Sequence, residues 1–207
     1  MYTPPFYAIA DRSECLALAG ERGFGVVCAA LGDGLDAVHV PFVLDRADRP
    51  APRLRFHLAR GNGLLSMIAG GARLLAIVSG PDAYISPDWY VSEDQVPTWN
   101  YVTVHLGGQG RLLDADELRA QVDALSARNE AHLAPKRPWT TAKMTPRRLD
   151  TMLGAIVGVE MTVDTIAGKR KLAQNKSLAD RQGAIAGLRG RGDAASREVA
   201  DLMAALE

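Results

Sequence analysis

Two of the chain's three tryptophans and three of its five tyrosines fall between Gly80 and Tyr101. The first half of that window reads Gly80-Pro81-Asp82-Ala83-Tyr84-Ile85-Ser86-Pro87-Asp88-Trp89-Tyr90. The second ends Val96-Pro97-Thr98-Trp99-Asn100-Tyr101. Rings interleaved with hydroxyl and amide side chains suit the gripping of a flat heteroaromatic ligand, because the rings offer faces for stacking and the polar groups set orientation. The same residues also suit a plain β core, since Trp and Tyr favour strands in any case. Strand spacing puts Thr98 and Asn100 on one face and Trp99 and Tyr101 on the other. The expectation is a polar face toward a ligand and an aromatic face packed inward.

A second candidate is the basic run Gly168-Lys169-Arg170-Lys171 with Gln174 and Asn175 after it. Lys and Arg supply the donors a phosphate needs, although a charge run is more often a solvated turn. A third is His57 with Arg60 and Asn62, three polar groups at the end of an expected strand. The four histidines, His39, His57, His105 and His132, show no HxxxH or HExxH spacing. Cys15 and Cys28 form no CxxC and read as free thiols. No GxSxG, P-loop or GxGxxG motif is present, and no catalytic residue stands out.

The elements that must position these groups are legible from periodicity. Asp11-Arg12-Ser13-Glu14 opens a short helix ending at Gly23. Phe24 to Leu31 and Leu35 to Leu44 form a hairpin about Gly32-Asp33-Gly34, with Pro41 marking an edge or a bend. A charged loop covers Asp45 to Pro52. Leu54 to Leu58 alternates as a strand, and Leu64 to Ala69 forms a helical turn. Arg73 to Ser79 is nearly all apolar, which predicts a strand buried on both faces. Short strands follow at Tyr84 to Ser86 and Thr98 to Leu106, and Gly107-Gly108-Gln109-Gly110 reads as a turn. Helices open at Asp114 and Thr145, a last strand covers Ile156 to Ile166, and helices run from Ser177 to Leu188 and after Asp193. Gly187-Leu188-Arg189-Gly190 reads as turn-like, and no convincing helix-turn-helix emerges. Six or so strands joined by short turns imply an antiparallel barrel or sandwich decorated with helices, an α+β class.

Bulk properties bound the partners. The chain has 207 residues, 24 basic and 24 acidic, so its formal net charge is zero. Broad charge-driven nucleic-acid binding is not expected from that balance, while a local basic patch remains open. The C-terminal stretch from Lys169 to Arg197 carries eight positive residues. The N-terminus lacks a signal-peptide pattern, and no apolar run reaches the roughly 18–20 residues of a membrane span. A cytoplasmic protein without a membrane partner is expected.

The wording of the motifs carries a resemblance. GPxAYISPxWY followed by VPTWNYxxVHxxG resembles the PaiB-like family of FMN-binding negative transcriptional regulators. Met1-Tyr2-Thr3-Pro4-Pro5-Phe6, the His57-Leu58-Ala59-Arg60-Gly61-Asn62 segment, and Lys171-Leu172-Ala173-Gln174-Asn175-Lys176 with Asp180-Arg181 match it in order to about residue 190. Gly63 stands where the family usually has Pro, and Ala173 where it usually has Ser. The resemblance implies an antiparallel split β-barrel of the FMN-binding type over residues 1–170. It also implies a helical segment, 171–207, packed on the barrel or on a dimer partner. FMN is the implied cofactor, with a homodimer and DNA as partners. The implied contacts are Ser86, Trp89, Thr98, Trp99, Asn100, Tyr101, Lys171, Gln174 and Asn175, with His57 and Arg60. The alternatives are an FMN-dependent oxidoreductase of the pyridoxamine-phosphate-oxidase-like split-barrel type, and a partner-binding protein that has lost its cofactor.

Overall fold

The computed structural model describes residues 1–45 and 51–206; the loop expected over Asp45 to Pro52 lies mostly outside them. Among the described residues there are eight strands and six α-helices. In chain order they are β1 (Ala8–Ile9), α1 (Arg12–Arg22), β2 (Phe24–Leu31), β3 (Gly34–Pro41), β4 (Val43–Asp45), β5 (Arg53–Ala59), α2 (Leu64–Ala69), β6 (Arg73–Ile85) and β7 (Thr98–Leu112). Then come α3 (Ala115–Ala131), α4 (Pro146–Gly154), β8 (Ile156–Lys171), α5 (Leu178–Arg191) and α6 (Ala194–Ala204). The strands join in the order β3-β2-β6-β7-β8-β5-β4, with β1 added on β8. Antiparallel registers run Val27 to Val38, Cys28 to Leu75 and Phe56 to Val159.

Local chemistry explains several boundaries. Asp11 Oδ1 accepts from Ser13 N at 2.7 Å and starts α1. Gly32, at φ +56°, supplies the left-handed residue that the β2–β3 hairpin needs. Pro41 ends β3, which lies at the sheet edge where a missing donor costs no ladder bond. Asp114 and Glu117 close a reciprocal capping box on α3.

Other expectations are overturned. β6 alternates buried and exposed residues rather than burying both faces, and it runs on through Tyr84 and Ile85 as one strand. Gly107 to Gly110 is no turn but the middle of β7. A Cβ on Gly108 would meet Thr162 O at 2.0 Å, and one on Gly107 would meet Thr165 Oγ1 at 2.3 Å. Those glycines serve close strand approach, a demand that mimics turn composition. β8 extends through Lys171, so the basic run belongs to a strand. Gly187 to Gly190 lies inside α5.

The chain divides into two compact units. One comprises Met1–Cys15, Ser79–Val104 and Ala167–Glu207; the other comprises Leu16–Val78 and His105–Ile166. In the second unit Leu54, Phe56, Leu58, Leu74, Leu106, Val159 and Met161 are buried, each contributing about 1.5–3 kcal/mol. In the first, Ile85, Leu172, Ile185, Leu188, Val199 and Met203 form an apolar cluster that fixes α5 and α6 behind the aromatic motifs. Trp89 packs on that cluster and lies against Gly183 and Gly187. A Cβ at Gly187 would sit 2.2 Å from Trp89 Cδ2. Gly187→Ala is therefore expected to destabilise the protein by about 1–3 kcal/mol, the usual cost of overpacking, read as a lowered midpoint in thermal denaturation.

Candidate functional site

Within the first unit, β7 and β8 bring three predicted contacts, Thr98, Tyr101 and Lys171, together with Lys169. Lys171, the last residue of β8, donates from Nζ to Thr98 Oγ1 at the start of β7. Lys169, two residues earlier on the same strand face, holds Nζ 5.3 Å from the centre of the Tyr101 ring. Arg170 points elsewhere and pairs with Glu14. Burial lowers the Lys171 ammonium from its ordinary range; Tyr101 opposes that shift, and the like charge of Lys169 adds to it. Among the described residues neither lysine has a carboxylate partner. Two cations, one desolvated, beside the hydroxyls of Thr98 and Tyr101 make a donor set suited to a phosphate.

A groove of about 360 Å³ adjoins this cradle, lined by Gly80, Asp82, Trp99, Tyr101 and Thr103 among others. That volume falls in the range of small-molecule sites. Trp99 and Tyr84 meet edge to face with ring centres 6.2 Å apart. The two faces of β7 alternate as spacing predicts but are used in the opposite sense. Asn100 is buried, donating from Nδ2 to Met203 Sδ at 3.2 Å, while Trp99 is 54% exposed. Trp99 and Tyr101 line the groove while the Asn100 amide is packed, because α6 supplies an apolar wall behind it; Thr98, at the start of the strand, stays partly exposed beside Lys171.

The remaining predicted contacts of this unit are engaged in the fold, Trp89 against the apolar cluster of α5 and α6 and the others through hydrogen bonds. Ser86 accepts from Asp88 N at 3.3 Å and caps a short 3-10 turn. Gln174 Oε1 accepts from Leu172 N at 2.8 Å while its Nε2 donates to Arg170 O at 2.7 Å, so its amide braces the chain directly after Lys171. Asn175 Oδ1 accepts from Tyr7 Oη at 2.9 Å. Ala173 is buried with φ +63°, and its methyl sits in the apolar cluster.

Asp180 is a residue whose role the spacing did not reveal. Its carboxylate accepts from Val91 N and Ser92 N at 2.9 Å and from the Ser92 and Ser177 hydroxyls at 2.8 Å. The Ser92 and Val91 amides and the two hydroxyls hold its pKa down at about 2, against burial. A depressed carboxylate stabilises the fold fully above its ordinary pKa near 3.8 and loses that contribution as pH falls toward about 2. Near-UV circular dichroism of the Trp89–Tyr90 segment is expected to change across that interval in wild type. In Asp180→Asn the signal is expected to be altered already at neutral pH.

His57 and Arg60 belong to the second unit, and both are engaged structurally there. His57 Nδ1 lies 3.1 Å from Oε1 of the buried Gln121. Arg60 donates to Gly154 O at 2.7 Å and Ile156 O at 3.3 Å, covering carbonyls at the end of α4. The same unit holds Glu160, 1% exposed, paired with Arg53, Arg55 and Arg111 at 2.7–2.8 Å. Among the described residues, no group of three or more His, Cys, Asp or Glu could hold a metal ion. No helix there is long and apolar enough to cross a membrane.

Comparison with known proteins adds to this geometry. Residues 1–165 match the model of a family described as "Putative FMN-binding domain". The Bacillus subtilis (strain 168) protein "Protease synthase and sporulation protein PAI 2" is 30% identical over 203 residues, 98% of this chain and 96% of its own length. The FAD and heme binding protein from Mycobacterium smegmatis superposes with a TM-score of 0.59 at 17% identity, over 86% of this chain and 80% of that one. The flavocytochrome Anf3 from Azotobacter vinelandii gives 0.53 at 15% identity, over 80% and 69%. The fold is thus an α+β antiparallel split β-barrel of the flavin-binding type.

Proposed function

The chain belongs to the FMN-binding family whose model spans residues 1–165, and from that premise we propose that it is an FMN-dependent negative transcriptional regulator of the PaiB-like kind. It works in the cytoplasm as a homodimer, with residues 1–170 as the flavin-binding body and 171–207 as the responsive helical segment. The observation that carries the flavin site is the Lys171–Thr98 contact with Lys169 over Tyr101, a cationic donor set with no carboxylate partner among the described residues.

The residues fit the cofactor. Lys171, Lys169 and Thr98 would hold the phosphate, and Trp99 and Tyr101 would flank the ring system. When bound, FMN supplies a redox-active chromophore whose state the protein can read. Lys171 is followed by the Gln174 brace and, at Ser177, by the cap of α5. A ligand that fixes Lys171 therefore acts on the chain that enters the helical segment. Asn100 ties the reverse face of the aromatic strand to Met203 on α6. The same ligand thus meets that segment from two directions.

A second reading, an FMN-dependent oxidoreductase acting on a small molecule, draws support from the exposed Trp99 and the groove beside it. NAD(P)H oxidation by the FMN-loaded protein would favour it. The test of the site is fluorescence titration with FMN. Saturable quenching that weakens in Thr98→Ala, by roughly two- to tenfold for one lost hydrogen bond, is the expected result. Undiminished affinity in both Thr98→Ala and Lys171→Ala would remove the assignment.

A further inference from the structure

If DNA is the partner, the C-terminal cations are poorly placed to hold it. Arg170 pairs with Glu14, Arg189 with Asp201 and Arg191 with Asp193. Lys171 is turned to Thr98 and Lys176 to Gln95. Most of that run is neutralised or committed.

A different segment keeps its charge. Between Lys136 and Gly154 the sequence has five cations and one carboxylate, Asp150. Arg137, Arg147 and Arg148 are exposed, and among the described residues they have no ion-pair partner. Lys143 Nζ donates only to Pro138 O, at 2.9 Å, which holds it against the residue following Arg137. Glu130 fixes this loop by accepting from Trp139 N at 2.8 Å and pairing with Lys136. The cations therefore sit on an ordered surface. Arg147 and Arg148 occupy the first turn of α4, where no acidic residue stands and where Thr145 makes no side-chain capping bond. The positive end of a helix dipole normally attracts carboxylates. Two arginines there run against local stability, and among the described residues no ion pair offsets them. Such a breach of a local rule is expected where a surface serves a partner.

We propose that Arg137, Lys143, Arg147 and Arg148 form the surface that contacts the phosphate backbone of duplex DNA. The inference rests on the regulator reading and names its DNA-facing side. Unpaired guanidiniums with backbone amides at a helix start match phosphate oxygens. Exposed cations on an ordered loop and helix start complement a polyanion, and the regulator reading makes that polyanion a duplex.

Fluorescence anisotropy of the full-length, FMN-loaded protein with a fluorescein-labelled mixed-sequence duplex tests this. Four phosphate contacts predict a slope of log affinity against log salt of about −3.6. Arg147→Glu/Arg148→Glu is expected to cut the slope to about −1.8 or less and to lower affinity at least tenfold at about 50 mM salt. The reversal places carboxylates at the positive end of α4, so its melting temperature should equal or exceed wild type. Unfolding then cannot explain the loss. Arg189→Glu/Arg191→Glu should leave the slope unchanged. Full affinity in the α4 variant, loss confined to the C-terminal variant, or tighter binding to phosphatidylserine vesicles than to the duplex would each overturn the assignment. Wild type that binds FMN but no duplex at any salt overturns both this surface and DNA-based regulation, while leaving the flavin site standing.

Discussion

Replacing Lys171 with alanine is expected to weaken FMN binding by roughly ten- to a hundredfold while leaving the ligand-free protein as stable as wild type, or more so. The two halves of that expectation have one cause. A charged hydrogen bond to a phosphate contributes about 1.5–3 kcal/mol, which converts to that loss of affinity. In the ligand-free protein the same ammonium is desolvated beside Lys169, with the Thr98 hydroxyl as its hydrogen-bond partner and Tyr101 as a weaker favourable neighbour. Its removal relieves repulsion and costs one hydrogen bond. A purely structural lysine would show the reverse pattern, with reduced stability and unchanged affinity. Parallel FMN titration and chemical denaturation of wild type and variant separate the two.

Glu160→Gln is expected to lower stability by about 3 kcal/mol, toward the lower end for breaking a buried ion pair, because the three arginines around it remain partly in water. Two effects compete at this carboxylate. Burial raises its pKa, the Arg55 and Arg111 hydrogen bonds lower it, and the arginines prevail. Without the charge, Arg53, Arg55 and Arg111 converge on a neutral amide, while Arg111 keeps its pair with Glu117. For a chain of this length the loss corresponds to a fall in melting temperature of about 6–12 °C. Since the folded pKa lies below the ordinary glutamate value, the stabilisation is full at neutral pH and fades as pH drops below about 4. Calorimetry at pH 7 should therefore show a larger gap between wild type and Glu160→Gln than calorimetry in acid. An equal gap at both would mean that shape rather than charge sets the cost.

Where local chemistry decides, the sequence was readable. The hairpin at Gly32, the α2 turn, the Asp114 cap and the core face of β5 are all set by residues within a few positions of one another. Where a distant neighbour decides, it was not. The alternation of Thr98 to Tyr101 was plain, but which face turns inward depends on Met203, about a hundred residues on, being there to receive Asn100. Gly107 and Gly108 looked like a turn because close packing against Thr162 and Thr165 asks for the same residue type. Gly183 and Gly187 were read as helix and turn, with no sign that their missing side chains leave space for Trp89. The cradle was partly legible: Thr98, Trp99, Tyr101 and Lys171 do gather. Lys169 was the weaker candidate in the basic run because a strand continuing through it could not be told from a solvated turn. Asp180 lay hidden in an ordinary helix start, since its four donors come from two separate segments.

The most direct measurement is an FMN titration of the purified protein, following the visible flavin spectrum and the quenching of flavin fluorescence, for wild type and Lys171→Ala. Saturable binding by wild type at micromolar FMN or below, shifted at least tenfold in the variant, is the result expected if the β7–β8 cradle holds the phosphate. Wild-type protein that leaves FMN fluorescence unchanged at high ligand, or a variant that binds as tightly as wild type, would contradict it.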